Sequence, residues 1–425
     1  MSAPLTISVV IVSRHRPQAL RRCLLGVAQL RYPAFETVVV ADPDGMAMLR
    51  ALPLAERVKQ VVFDQPNISS ARNLGVAVAA GEIVAFIDDD AVPEPLWLAH
   101  LAMAFADPQV VAAGGFVRGR NGITFQSKAA SVDWAGHETP LDVDPDRITV
   151  LTARPGHGIK TEGTNMAIRR EVLARLGGFD PRYRFFLDET DLNLRLAEEG
   201  AVTAIVPRAE VHHGFAASAR RRHDRVPRDL TEIGASWAVF LQHHCPEGRR
   251  AAVWADIRQA ERQRALDHMV AGRLEPRDVR RLLAGLEAGH AEGLTRGAAP
   301  LSPLVVSPEA FRPYPIRADA RSLVFAGRSW NRRRLRADAR AAVAAGNVAT
   351  LIRLSPTALY HRVRFTSEGI WEQAGGLFGR SDRGQPLFRP WRFAPRIRVE
   401  IARIAGVRGL MEPDAAALSC GAEMP

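Results

Sequence analysis

Three consecutive carboxylates, Asp88, Asp89 and Asp90, follow directly on an apolar run, residues 83–87. β-Branched and aromatic residues in so short a run read as a buried strand. Carboxylates at the carboxyl end of such a strand sit where open α/β sheets bind their ligands. Alternate side chains of an extended chain point the same way, so Asp88 and Asp90 can converge while Asp89 faces elsewhere. Two convergent carboxylates suit a hard divalent cation, which in turn can hold a diphosphate. The alternative is a cluster that caps the helix expected from Pro95. A second acidic group, Asp188, Glu189 and Asp191, opens an amphipathic segment that continues through Leu192, Leu196 and Ala197. Carboxylates there can serve as a general base, or can cap the helix and favour its dipole. Two histidines, His212 and His213, follow a further apolar run, and imidazole is equally at home as a metal ligand or as a structural group.

These residues need strands and helices to hold them, and the pattern supplies both. Residues 5–17 are β-rich, and Pro17 suits the start of a helix that runs with apolar spacing to Gln29. A second strand, 36–45, ends in Asp42 and Asp44, and a third covers 58–63. Residues 68–81 read as a capped helix closing on a glycine, immediately before the aspartate strand. Another helix and a strand at 110–116 follow. Residues 118–160 lack clean periodicity and read as a long connection over the site. Residues 161–173 return to strand then helix, and 202–206 form a last strand. Strands alternating with helices call for βαβ units and a mainly parallel sheet with helices on both faces.

Four runs, VVIVSRHRP, SSARNLGVAVAAGEIVAFIDDD, GTNMAIRREVLARLGGFD and LDETDLNLRLAEEG, occur in this order. Together they resemble the family 2 glycosyltransferases, inverting nucleotide-sugar enzymes of Rossmann-like GT-A fold, over residues 5–215. What the resemblance implies is a metal-dependent transfer of a sugar from a nucleotide-sugar donor to a hydroxyl, in surface glycan or polysaccharide synthesis. Asp90 would be the metal ligand, with Asp88 on the ribose or the metal and Asp89 also counted with the donor-binding residues. The cation would be Mn2+ or Mg2+. Glu189 stands where the family has its catalytic aspartate, with Asp188 beside it. The usual order of the two acids is therefore exchanged. Arg72 falls near the base or phosphates, and Ser13 and Arg14 near the nucleobase pocket. Asp42 matches the acid that reads the base, although Ala41 stands where many relatives have another acid. Gly163 and Asn165 belong to the turn that lines the donor sugar, and His212 or His213 would reach the metal or phosphate. A basic run at 219–225 is either a lid over the diphosphate or a solvated turn.

The remainder sets the context. Residues 1–225 are expected to form the catalytic domain, 226–295 a helical extension, and 296–425 a basic C-terminal region behind a proline-rich linker. The net charge of +11 lies wholly in that last region, where 21 arginines face 10 acids. Such asymmetry suits an acidic partner. Residues 391–410 mix Trp391, Phe393 and isoleucines with arginines, as an interfacial helix does, and a packing or dimerisation helix reads equally well. Three scattered cysteines, Cys23, Cys245 and Cys420, and the lack of a leader or a membrane span point to a cytoplasmic protein, peripheral to the inner membrane face if the basic tail binds it. The expected partners are the donor, a glycan or lipid-linked acceptor and a second copy of the chain, but not nucleic acid, for which no module is present. No Gly-x-Gly-x-x-Gly follows the first strand, which excludes a Rossmann dehydrogenase. A sugar nucleotidyltransferase and a non-catalytic nucleotide-sugar or polyanion binder are the rival readings.

Overall fold

Strand β1 (Ile7–Ser13) is buried along its whole length, with Val9 and Ile11 in one apolar cluster and Val10 and Val12 in another. A strand covered on both faces requires that alternation. Helix α1 (Pro17–Val27) starts at its proline and lays Leu20, Cys23, Leu24 and Val27 into the first cluster. Strand β2 (Phe35–Ala41) pairs parallel with β1. Helix α2 (Pro43–Arg50) and strand β3 (Val58–Val62) extend the sheet on that side. Helix α3 (Ile68–Val78) covers the other face, its first turn capped by the Asn67 side chain, which accepts from the Ser70 amide at 3.0 Å. Strand β4 (Ile83–Asp88) then pairs parallel with β1 on the side away from β2. Gly81 permits this turn, because a Cβ there would lie 2.6 Å from the Ser8 amide nitrogen.

In this computed structural model residues 3–214, 220–307, 309–316 and 319–410 are described. Cys420 and the first residue of the basic run at 219–225 lie outside them. Among the described residues the main sheet runs from Thr149–Thr152 through Val202–His213, Val110–Arg118 and Met166–Arg169 to β4, β1, β2 and β3. Met166–Arg169 is antiparallel to both its neighbours. With helices on both faces this is the mixed, mainly parallel architecture expected of a GT-A fold. The carboxyl ends of β1 and β4 emerge side by side, where Ser13 is buried and Asp88 is partly exposed.

Residues 118–160 hold more regular structure than their lack of periodicity suggests. Ala130–Asp133, Glu138–Pro140 and His157–Lys160 form a separate antiparallel sheet that carries Lys160 towards the site. Strands of three or four residues offer too few alternations to register as a pattern.

The expected helical extension is present as Thr231–His244, Glu247–Val270 and Pro276–Gly293. The proline-rich stretch beyond it is a strap rather than a free linker. Its backbone amides bond outward: Leu304 to the Ala174 carbonyl at 2.8 Å, Arg312 to the Glu36 carboxylate at 2.9 Å and Tyr314 to the Phe35 carbonyl at 2.7 Å. Tyr314 also stacks on Phe35, ring centroids 5.1 Å apart.

The basic C-terminal region contains a four-stranded sheet that its arginine-rich composition conceals, in the order Ser322–Arg328, Val348–Ser355, Ile370–Gly376, Arg362–Phe365. The helix Arg332–Ala344 crosses it, and the helix Phe393–Arg408 packs on it with Ile397, Ile401 and Ile404 buried. Of the two readings of this last helix, packing is what its apolar face does. Among the described residues no helix is long and apolar enough to cross a membrane.

Candidate active site

Asp88 ends β4, and Asp90 follows after one intervening residue. The long strand Val202–His213 brings His213 alongside them. One ligand atom from each of Asp88, Asp90 and His213 lies within 4.8 Å of the other two. His213 Nε2 is 3.2 Å from Asp90 Oδ1 and 4.0 Å from Asp88 Oδ2. Burial favours the neutral ring, but the hydrogen bond and charges of Asp90 and Asp88 outweigh it and raise the His213 pKa. The cluster thus calls for positive charge, which a proton or a cation can supply. Two carboxylates and one imidazole fit Mn2+ or Mg2+ chemistry, and binding would displace the proton.

The second acidic group opens the helix Asp188–Glu198. Leu187 at its N-cap takes a left-handed conformation (φ +66°), and its apolar side chain makes no cap hydrogen bond. A non-glycine residue held in that region is a local cost that tends to be retained at functional sites. The Asp188 carboxylate pairs with the Arg72 guanidinium, which also lies 3.3 Å from Asp88 Oδ1 and donates to the Gly163 carbonyl at 3.3 Å. Arg72 is itself buried and so ties the aspartate strand to the acid pair. Adjacent carboxyls resist simultaneous ionisation. Burial, together with the charge of Glu189, pushes Asp188 well above the usual carboxylate range. Burial acts on Glu189 in the same sense, but Lys160, Arg72 and the hydrogen bond with Asp188 reverse it and hold Glu189 low.

A cavity of about 430 Å³ opens beside this apparatus, walled by residues from the ends of β1, β2 and β3 and from the start of α3, with Asp88 at its edge. Ser13 and Arg14 line it, as do His15, Phe63 and Phe185. Arg184, Arg220 and Arg228 make its rim strongly cationic. An apolar slot with a basic rim next to paired carboxylates is suited to a nucleotide.

Residues 3–229 match the family model described as glycosyltransferase like family 2. The chain belongs to this family. Among curated relatives it is 28% identical to the O-antigen biosynthesis protein RfbC of Myxococcus xanthus, covering 57% of this chain and 20% of that protein. It is 27% identical to a pre-mycofactocin glycosyltransferase of Mycobacterium tuberculosis, over 56% of this chain and 48% of the relative. The chain thus spans a fifth to about half the length of these relatives. Among solved structures, a Pyrobaculum calidifontis mannosyltransferase in complex with GDP-Man and Mn2+ is 18% identical, with a TM-score of 0.42 over 69% of this chain and 88% of that one.

Within this family 2 glycosyltransferase, four residues expected at the site do other work. Asn165 is fully buried. It accepts from Trp97 Nε1 at 2.7 Å and donates to the carbonyls of Phe116 and Ala209, which leaves nothing for a donor sugar. Asp89 turns inward to the Ser13 hydroxyl at 2.7 Å and to Arg16 at 2.7 Å, so it braces β1 and cannot meet the donor. Asp42 lies behind His15, 3.1 Å from its Nδ1, and does not line the cavity. His212 is engaged by Glu94 at 2.8 Å and packs against the Trp371 ring, away from the Asp88–Asp90 cluster.

That last contact belongs to a buried network. Arg408, from the C-terminal helix, donates twice to Glu94 at 2.8 Å, and Arg118 pairs with Glu210 on the strand that carries both histidines. The C-terminal region therefore reaches the strand one residue away from His213. Sequence reasoning also passed over His15, Arg16 and Lys160. His15 and Arg16 sit in the same run as Ser13 and Arg14, where the signal was already strong. Lys160 lies in the stretch without periodicity, and nothing local marks it.

Proposed function

We propose that this chain is a metal-dependent, inverting glycosyltransferase that moves a sugar from a nucleoside diphosphate to a hydroxyl of a glycan or lipid-linked acceptor. The observation that carries this reading is Arg72, whose single guanidinium joins Asp88 at the cavity edge to Asp188 beside Glu189. It thereby sets the donor pocket and the base in one rigid frame. The nucleoside would occupy the 430 Å³ cavity, with its phosphates towards the arginine rim. A divalent cation held by Asp88, Asp90 and His213 would neutralise charge on the departing diphosphate. Glu189, kept anionic by Lys160 and Arg72, would take the proton of the acceptor hydroxyl as it attacks the anomeric carbon from the side opposite the diphosphate. One base and one displacement invert the anomeric centre. The M. xanthus relative's name, an O-antigen biosynthesis protein, favours a surface glycan as product.

Thermal melting with UDP, GDP, dTDP and CDP, each with and without Mn2+, tests the binding half, since a ligand of the native state raises Tm by mass action. One nucleotide should raise it, and only with Mn2+. No shift with any of them would remove the donor site. Glu189→Gln tests the chemistry: transfer should fall by about 10²–10⁴-fold with nucleotide binding retained.

A further inference from the structure

We propose that a second, smaller cavity beside the Asp88–Asp90–His213 cluster is a phosphate-group subsite completed by the C-terminal sheet. This inference rests on the functional reading above. The cavity, about 190 Å³, is lined by Asp90 and His213 together with Arg22, Arg120, Val363 and Arg364, and shares no lining residue with the nucleotide cavity. It is smaller than the roughly 300–1,000 Å³ of sites for drug-sized ligands, so it suits a headgroup rather than a whole nucleotide.

Its cations are what point to an anion. Several arginines near the cluster have acid partners: Arg118 has Glu210, Arg408 has Glu94 and Arg16 has Asp89, while Arg120 donates to the Gly214 carbonyl at 3.3 Å. Arg364 gives Glu372 two bonds from one edge of its guanidinium and is otherwise mostly exposed. Arg22 is different. It is half-buried on α1, its guanidinium lies close to Gly214 beside His213, and it makes no hydrogen bond or ion pair among the described residues. A partly desolvated guanidinium without a partner costs free energy that a phosphate would recover through charge-assisted bonds.

The far wall is fixed by design of the backbone. The Val363 amide donates to the Asn121 carbonyl at 2.8 Å. Gly122, at φ +65°, admits the strand Arg362–Phe365, since a Cβ there would stand 2.2 Å from the Val363 carbonyl oxygen. The catalytic domain alone would leave the cavity open on this side. Two molecules could bring the phosphate: the donor, through its diphosphate, or a phosphate-bearing acceptor.

The experiment is thermal melting of the full chain with inorganic phosphate and Mg2+, with and without a saturating nucleoside diphosphate, on wild type, Arg22→Gln and Arg22→Lys. Phosphate should raise Tm in wild type, its apparent affinity should fall roughly tenfold in Arg22→Gln, and Arg22→Lys should retain most of it. If the phosphate effect adds to that of the nucleotide, the subsite serves the acceptor; if the nucleotide abolishes it, the subsite serves the donor's diphosphate. No phosphate effect in wild type, or an effect equal in wild type and Arg22→Gln, overturns the subsite. Absence of a nucleotide effect in wild type overturns the functional reading instead, and the nucleotide-free arm still reads Arg22.

Discussion

His213 Nε2 lies 3.2 Å from Asp90 Oδ1, while the adjacent His212 directs its Nε2 to Glu94 at 2.8 Å. Consecutive residues of a strand face opposite ways, so only one of two neighbouring histidines can join the carboxylate cluster. The two should separate in a titration. His213→Ala is expected to raise the Mn2+ concentration for half-maximal nucleotide binding by roughly tenfold or more. His212→Ala should lower Tm and leave that concentration nearly unchanged. Equal metal sensitivity in both variants would dismiss His213 as the ligand.

Gly163 offers a way to move Arg72 without replacing it. A Cβ at residue 163 would stand 2.6 Å from an Arg72 guanidinium nitrogen. Gly163→Ala should push that guanidinium off its shared position between Asp88 and Asp188, lowering kcat by roughly 10–100-fold while nucleotide binding changes little. Unimpaired turnover would show that the Arg72 bridge does not set the geometry of the base.

Asn165 makes the opposite prediction. Its three bonds are internal, and their loss leaves the Phe116 and Ala209 carbonyls unsatisfied. Asn165→Ala should therefore cost about 2–4 kcal/mol of stability in denaturant unfolding, with the donor KM of the remaining folded enzyme close to wild type. A raised KM with normal stability would return Asn165 to the donor site.

The Glu94–Arg408 pair gives an acid dependence. Burial acts to raise the Glu94 carboxyl, but Arg408 and His212 outweigh it and hold the pKa well below the usual range. A carboxyl depressed in the folded state stabilises above its unfolded pKa, near 4.5, and that contribution drains away as pH falls towards the folded value. Tm followed from pH 7 to about 3 should thus fall more steeply in wild type than in Glu94→Gln. At pH 7, Arg408→Met should cost about 3–5 kcal/mol, because it strands a buried charge. Parallel pH curves would show that other carboxylates carry the acid sensitivity.

The parts legible in the sequence were those where chemistry and local pattern coincide. Asp88 ends a six-residue strand whose first five residues are apolar, with Asp90 two residues on, and Asp188 and Glu189 open a helix with clear apolar spacing. Position on an element then dictated which acids converge. Contacts set by distant partners left no such mark. Glu94 and Arg408 are 314 residues apart, and neither belongs to a run that names the other. Asn165 resembled a donor contact because of its motif, but hydrogen-bond satisfaction is decided by Trp97 and two carbonyls from separate strands. The strap misled for a similar reason. Proline suppresses regular pairing, yet the amides of Leu304, Arg312 and Tyr314 still find acceptors on the domain they cross.

The order of synthesis gives the Arg408 contact a further meaning. Glu94 leaves the ribosome early, flanked by the strands that bring Asp88 and His213 together, and waits for a guanidinium encoded more than three hundred codons later. Until that helix emerges, the carboxylate has only the His212 imidazole as a side-chain partner. A message cut short before codon 408 would therefore yield a chain with every proposed catalytic side chain in place and a poorly anchored strand beneath His213. Emergence of that helix would itself be the step that sets the enzyme.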